Sequence, residues 1–349
     1  MEQQTIAINK LEQFLTNIKA LKELRHDKPK VDILKSYRGF GGLRQCFNSK
    51  QLYAMLMNEL RGIFGSSLEH DIFNSIRHSC TSAYYTPVEV VSFMYKYLTE
   101  VCHFNGGDIL EPSCGNGVFF EHMPESIKAN SNVTGIEFDT LTSKLVQNIY
   151  KDVTIINNGL QDIDFANKKY DLIIGNPPYG KETIVDKNMS DISGYTIHHY
   201  FMAKCVRLLK DNGILAFVMP SYYMDIPHKN TRAIVNNEAV LIDVIRLPDN
   251  LFAQASVTVD IVFVRKSGNQ IHNFVNTVPL EQHGNKDCIN EYWAANPKRI
   301  LGELKLKWVE AYHRYVPTCY MVNINQILTN LTNCKFSDKT RNNYHSIVG

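Results

Sequence analysis

No apolar run in the 349-residue sequence approaches the ~18 residues of a membrane span, so no membrane-spanning helix is expected. The start, Met1-Glu2-Gln3-Gln4, lacks the basic and then apolar segments of a secretory leader. Eight cysteines are scattered without a Cys-x-x-Cys pair, which indicates neither a zinc site nor a disulfide framework and suits a reduced cytosol. The glycine-rich stretch Tyr37-Arg38-Gly39-Phe40-Gly41-Gly42-Leu43-Arg44 is followed by no Gly-Lys-Ser/Thr, which rules out a Walker loop. We read it as a structural loop in preference to a phosphate or cofactor contact. Internal repeats and low-complexity tracts are missing too.

Net charge is +2 and unevenly spread: residues 1–50 carry 10 Lys/Arg against 5 Asp/Glu, residues 298–349 carry 8 against 3, and the middle carries 19 against 27. Basic ends around an acidic middle fit a nucleic-acid footprint and, equally, two solvated helical faces. The length suits two domains and a sizeable core.

Apolar residues at helical spacing predict a helix over residues 5–26, ended by Lys28-Pro29-Lys30, and another over 50–78. Residues 1–80 therefore form a helical N-terminal region. Ala83-Tyr84-Tyr85-Thr86-Pro87 opens a second region, with Thr86 as N-cap and Pro87 in the first turn of a helix through Leu98. Asp108 to Glu111 reads as a strand, followed by a tight loop, Pro112-Ser113-Cys114-Gly115-Asn116-Gly117, and then a helix. Such a loop lets a ligand approach the backbone closely. Val133 to Glu137 is a second strand ending in a carboxylate about 20 residues beyond the glycines, a spacing that suits ribose hydroxyls. Val153 to Ile156 is a third, followed by Asp162, which is placed to accept a hydrogen bond from an adenine amine.

Asp171-Leu172-Ile173-Ile174-Gly175 is a buried strand that stops at Asn176-Pro177-Pro178-Tyr179. Proline has no N–H for the ladder, so a rigid turn is expected at the strand's carboxyl edge, where open α/β sheets bind ligands. The Asn176 side-chain oxygen and the Pro177 carbonyl can each accept from a planar NH2 group while the Tyr179 ring stacks on it. A plain proline turn is the competing reading. Gly180 to Ser193 reads as a polar, mobile loop, followed by a helix through Leu209, a turn at Asp211-Asn212-Gly213, and strands 214–218, 240–247 and 257–264. His198 and His199 have no third partner in sequence and read as loop or helix-start residues rather than a metal site. Residues 271–349 read as a small, partly helical region.

These motifs, in this order, resemble the amino-group DNA methyltransferases that methylate adenine N6 with S-adenosylmethionine, in the gamma arrangement. The resemblance spans about residues 81–267. It implies a doubly wound, mostly parallel seven-stranded α/β sheet with helices on both faces. It also implies a methyltransferase domain over 81–270 and a reduced target-recognition segment over 271–349. The cofactor set is Tyr84, Thr86, Pro87, Glu111, Pro112, Ser113, Gly115, Gly117, Glu137, Asp162 and Asn176. The catalytic motif is Asn176, Pro177, Pro178 and Tyr179, with Tyr179 and Phe252 stacking on a flipped adenine. More faintly, Arg38 to Leu43 resembles methylase-like proteins of mobile elements. DNA is the expected partner, a separate specificity subunit is left open, and no membrane is involved. Asn-Pro-Pro-Tyr also occurs in protein-glutamine and RNA methyltransferases. A non-catalytic DNA-binding subunit is the rival of a different class.

Overall fold

The computed structural model describes residues 2–79, 86–227, 230–249, 251, 257–267, 274–280, 288–309, 314–321, 323–336 and 340. Four helices come first: α1 (Glu2–Leu24), α2 (Val31–Leu34), α3 (Lys50–Phe64) and α4 (Glu69–Ser79). The continuous helix expected over 50–78 is broken at Gly65, whose φ of +81° no helix accommodates. The glycine-rich stretch after α2 is a clamped turn. Asn17, fully buried on α1, accepts from the Arg38 N–H at 2.8 Å and donates to the Gly39 carbonyl at 2.6 Å. Tyr37, Phe40 and Leu43 point into the helical core.

The second region runs α5 (Val88–Glu100), β1 (Gly107–Glu111), α6 (Val118–Glu121), α7 (Glu125–Lys128), β2 (Ser131–Ile136), α8 (Thr140–Ile149), β3 (Thr154–Ile156) and β4 (Tyr170–Gly175). It continues with α9 (Ile197–Arg207), β5 (Leu209–Pro220), α10 (Tyr222–Asp225), α11 (Asn230–Glu238), β6 (Ala239–Leu247) and β7 (Val259–Lys266). These strands form one seven-stranded sheet in the order β3-β2-β1-β4-β5-β7-β6. All pairings are parallel except that β7 runs antiparallel to both β5 and β6. The carboxyl ends of β1 to β6 therefore lie on one edge. The order reverses between β1 and β4, which is where such a sheet opens a crevice. This is the doubly wound class expected.

Side chains of β4 alternate between two cores, as a strand buried on both faces requires. Leu172 and Ile174 join α5 and α6 on one side, and Ile173 joins α9 and α11 on the other. β5 starts earlier than expected: the helix ends at Arg207, and Asp211-Asn212-Gly213 is a bulge within the strand rather than a turn before it. A Cβ on Gly213 would fall 2.8 Å from the Tyr170 carbonyl, so only glycine lets the two strands meet there.

α8 belongs to two cores. Val146 packs on the sheet side, while Leu141 and Leu145 complete the core of α1, α3 and α4, with Ile149 packed against it. The C-terminal part is mainly strand rather than helix: β8 (Thr277–Pro279), β9 (Cys288–Asn290), α12 (Glu291–Ala295), β10 (Glu303–Val309), β11 (Arg314–Tyr320) and α13 (Ile324–Thr332). It has no core of its own among the described residues. Trp293 enters the core over α9 and α11, and Ile327 and Leu331 of α13 enter the core beside α5. No described helix is long and apolar enough to cross a membrane.

Candidate active site

The turn after β4 is held from both sides. Ser113, in the loop after β1, donates its hydroxyl to the Asn176 carbonyl at 3.3 Å. The Tyr179 hydroxyl lies 2.5 Å from Asn176 Oδ1 and 2.9 Å from the Val218 carbonyl on β5, and shares its one proton between them. Burial raises the Tyr179 pKa well above its ordinary value, with Tyr222 and Asp260 adding to the effect, so the hydroxyl remains a donor. Pro177 is buried, whereas Asn176, Pro178 and Tyr179 stay partly exposed at the edge. Residues 176–179 thus form a fixed rim with the Asn176 amide and Tyr179 ring side by side. Gly175 keeps this rim close to β1, since a Cβ there would lie 3.4 Å from Glu111 Cγ and 3.6 Å from Pro112 Cδ.

Beside it, the loop after β1 turns through Gly115 (φ +51°) and Gly117 (φ +78°). A Cβ on Gly117 would fall 2.4 Å from Tyr150 Cε2, so the position is closed to side chains on two counts. The loop is tied to β2 by Glu137, whose carboxylate accepts from the Gly115 N–H and from the Asp139 N–H, each at 2.8 Å. Burial and then Asp139 push the Glu137 acid up to about 7, against the pull of those backbone donors. Glu111 is buried and its Oε2 has no hydrogen-bond partner among the described residues; Asn116 Oδ1 is in the same condition. Burial, reinforced by Glu137, holds the Glu111 acid well above the carboxylate range.

The remaining expected residues are placed less tightly. Asp162 is exposed in a short helical turn after β3 and accepts from its neighbour Gln161 at 2.7 Å. The N-cap of α5 is Pro87, not Thr86. Pro87 already has extended ψ (142°), α5 begins at Val88, and no side chain caps it; Thr86 is buried instead. Tyr84 and Phe252 lie outside the described residues.

Two polar arrangements near the site escaped the sequence reading. The segment after Tyr179, expected to be mobile, is pinned by Asp186. Its carboxylate accepts from the Asn188 N–H at 2.8 Å and Met189 N–H at 3.0 Å, and from Tyr200 Oη at 2.5 Å and Lys204 Nζ at 2.7 Å. Lys204 also donates to the Leu160 carbonyl at 2.8 Å, which ties the segment to the turn carrying Asp162. The second arrangement is wholly buried. Arg246 of β6 pairs with both oxygens of Asp260 on β7 at 2.8 Å and with Asp225 at 2.7 Å, and its guanidinium lies 4.4 Å from the Trp293 ring centroid. The second could have been suspected from charges set inside apolar runs, Asp243 and Arg246 in β6 and Asp260 in β7.

The chain shares sequence with known proteins. The type II methyltransferase M.CvrRI of Paramecium bursaria Chlorella virus XZ-6E is 28% identical over 207 residues, 56% of this chain and 52% of the relative. The modification methylase CviBIII of Paramecium bursaria Chlorella virus NC1A is 32% identical over 143 residues, 40% of this chain and 37% of the relative. The matched part therefore spans about half the length of these relatives or less. Among solved structures, the methyltransferase subunit of a type I restriction-modification system from Streptococcus thermophilus superposes with a TM-score of 0.48 at 16% identity, over 91% of this chain and 74% of that one. Residues 2–252 match the family model of the Eco57I restriction-modification methylase, and the chain belongs to that family.

Proposed function

We propose that the chain transfers a methyl group from S-adenosylmethionine to N6 of adenine in DNA. One observation carries the reading: the Asn176–Tyr179 rim is clamped at the carboxyl end of β4, directly beside the buried Glu111, whose Oε2 has no partner among the described residues. The partnered groups fix a site for a planar amine, and the unpartnered ones fit a cationic ligand. A buried carboxylate with no partner is costly, and a positive group removes the cost. S-adenosylmethionine is cationic at its amine and sulfonium, and when bound it supplies an electrophilic methyl group. Glu111, Asn116 and the Gly115–Gly117 backbone would hold it, with Glu137 taking ribose hydroxyls, Asp162 the adenine amine, and Thr86, Pro87, Pro112 and Ser113 closing the walls.

The chain's own residues then position the acceptor. Adenine in a duplex hides its amine in the stack, so the base is flipped out at a cost of a few kcal/mol. Stacking on Tyr179 and on Phe252, at about 1–3 kcal/mol per base–aromatic contact, offsets that cost. An amide oxygen carries two lone pairs, so Asn176 Oδ1 can face Tyr179 with one and, together with the Pro177 carbonyl, accept from the amine with the other. This turns the N6 lone pair out of conjugation and towards the methyl donor, so rate comes from positioning and electrostatics. Residues 1–80, 81–270 and 271–349 are read as helical, catalytic and reduced target-recognition parts. The exposed Trp308, Tyr315 and Tyr320 of the β10–β11 hairpin are available to the duplex.

The deciding experiment incubates the purified chain with radiolabelled cofactor and DNA, RNA or protein, then identifies the product. N6-methyladenine in DNA is the expected result. Methylglutamine or a methylated RNA base would replace this reading by one of its rivals. Cofactor binding without turnover on mixed genomic DNA would make the chain a non-catalytic subunit or one that needs a specificity partner.

A further inference from the structure

Asp162 is exposed on the short turn Leu160–Asp162, closed by the bond from the Asp162 N–H to the Gly159 carbonyl at 3.0 Å. A turn this short does not set its own direction; its neighbours must. Upstream, the Asn157 amide donates to the Glu137 carbonyl at 2.9 Å and the Phe138 carbonyl at 3.2 Å. Across from it stands Lys204 of α9, 1% exposed, a rare place for an ammonium. Lys204 Nζ donates to the Leu160 carbonyl at 2.8 Å and lies 5.6 Å from the ring centroid of Phe165, within cation–π range. It therefore grips the chain on both sides of Asp162.

Lys204 is braced in turn by the buried Asp186 at 2.7 Å. Burial pushes the Asp186 acid up, but the bonds from Lys204, Tyr200 and the Asn188 N–H outweigh it and hold the acid below its ordinary value. The segment carrying Asp186 is closed at its base by backbone bonds from Ile184 to Tyr195 at 3.0 Å and from Ile197 to Glu182 at 2.8 Å. Asp186 is thus a firm post. A buried ion pair is weak evidence for stability, since apolar side chains of like volume fill the space as well. An apolar side chain, however, has nothing to offer the Leu160 carbonyl. Resting on the methyltransferase reading above, we propose that Lys204 is a positioning residue for the adenine end of the cofactor: braced on Asp186, it sets the turn that aims the Asp162 carboxylate at the cofactor's amine. The catalytic turn is held separately, by Ser113 and Val218, so Lys204 governs cofactor binding and not the rate of transfer.

The test is Lys204→Met combined with Asp186→Asn in the full chain, which keeps side-chain volume and leaves no lone buried charge. The Kd for S-adenosylmethionine by calorimetry is expected to rise roughly 10-fold, the scale of one lost bond to a charged group, with kcat at saturating cofactor within about twofold. Asp162→Ala should cost a similar factor, and adding it to the double variant should cost little more, because both act through one contact. An unchanged Kd, or losses that simply add, overturns the proposal. Where the double variant does not fold, Phe165→Leu decides at the half-buried side of the grip. It should raise Kd about two- to fivefold, and again not in an Asp162→Ala background; no change, or the same rise in both backgrounds, overturns the proposal. A wild-type chain that binds no S-adenosylmethionine removes the methyltransferase reading itself. One that binds it with a Kd indifferent to these changes removes only the role of Lys204.

Discussion

The two halves of the site treat their polar groups in opposite ways. Around the turn after β4 the groups that fix the geometry are met: the Asn176 carbonyl by Ser113, and the Tyr179 hydroxyl by Val218 and Asn176. Around the loop after β1, Glu111 Oε2 and Asn116 Oδ1 are buried and unmet among the described residues, and burial, with Glu137 beside Glu111 and Asp139 beside Glu137, raises the affinity of both carboxyl groups for protons. The first half spends its hydrogen bonds on rigidity. On the proposed function the second keeps them for a ligand, at a cost of stability in the free protein. A ligand that arrives in the second half should stabilise the fold, whereas one that arrives in the first should find its geometry already set.

The sharpest way to break that contrast is at Asn176. Asn176→Ala should remove methyl transfer by about 10²–10³-fold, the scale seen when one oriented polar group is lost from an active site, with cofactor affinity unchanged within a few-fold. Turnover near the wild-type rate would show that the rigid half is not the chemical half. Next comes the loop. Gly117→Val must adopt a left-handed conformation, costing about 1–2 kcal/mol, and collides with Tyr150 as well. Both it and Gly115→Val should abolish cofactor binding by calorimetry.

Glu111→Gln separates the halves by sign. It should raise the melting temperature of the free protein at pH 7, because no buried carboxylate then needs a proton or a partner. Cofactor affinity should meanwhile fall by roughly 10-fold or more, the loss of one charge-assisted hydrogen bond at about 1.5–3 kcal/mol. Both quantities falling together would mean that Glu111 is held by a partner in the free protein. A smaller effect is expected at Tyr179→Phe, which keeps the ring but leaves the Val218 carbonyl unmet. A loss near ~1 kcal/mol in stability and a few-fold drop in kcat are anticipated, read by denaturant titration and steady-state kinetics.

A last test concerns acid. Burial, followed by His199, holds the His198 pKa down to about 3, and burial, followed by Arg232, holds that of His199 down to about 4. The folded chain refuses protons that the unfolded chain accepts near pH ~6.5. Their contribution to stability is therefore complete above about pH 6.5 and is lost as pH falls towards about 4 and 3. Urea midpoints at pH 7 and pH 5 should differ less in His198→Gln than in wild type. An unchanged difference would place the acid sensitivity elsewhere.

Much of this was legible in the chain. Short apolar runs, Ile109-Leu110 ahead of Pro112 and Leu172-Ile173-Ile174 ahead of Gly175 and Pro177, marked β1 and β4, because a buried strand can stop abruptly only where its ladder donor is lost or its direction changes. The order of those runs placed Glu111, Glu137 and Asn176 on one edge. Local periodicity could not reveal partners distant in sequence. Nothing around Ser113 announces that its hydroxyl reaches a carbonyl 63 residues away, and nothing in the polar loop from Gly180 to Ser193 shows that Lys204 and Tyr200 neutralise and pin Asp186. The C-terminal strands were missed for a related reason. Their faces are half exposed and mixed in character, and they are held by ties to other elements, such as the Lys307–Asp249 ion pair and the bond from Cys319 N–H to the Thr258 hydroxyl.

The double allegiance of α8 bears on how the chain comes off the ribosome. The first four helices cannot close their core until Leu141 and Leu145 have been made, some sixty residues after α4 ends. During synthesis the N-terminal helices must therefore wait, exposed and in need of shelter, while α5, β1 and β2 emerge behind them. Once α8 arrives it seals both cores together, with Ser75 bonded to Asp139 at the helix start. Cutting the chain near residue 80 should accordingly yield two pieces that dissolve poorly apart and recover when made together.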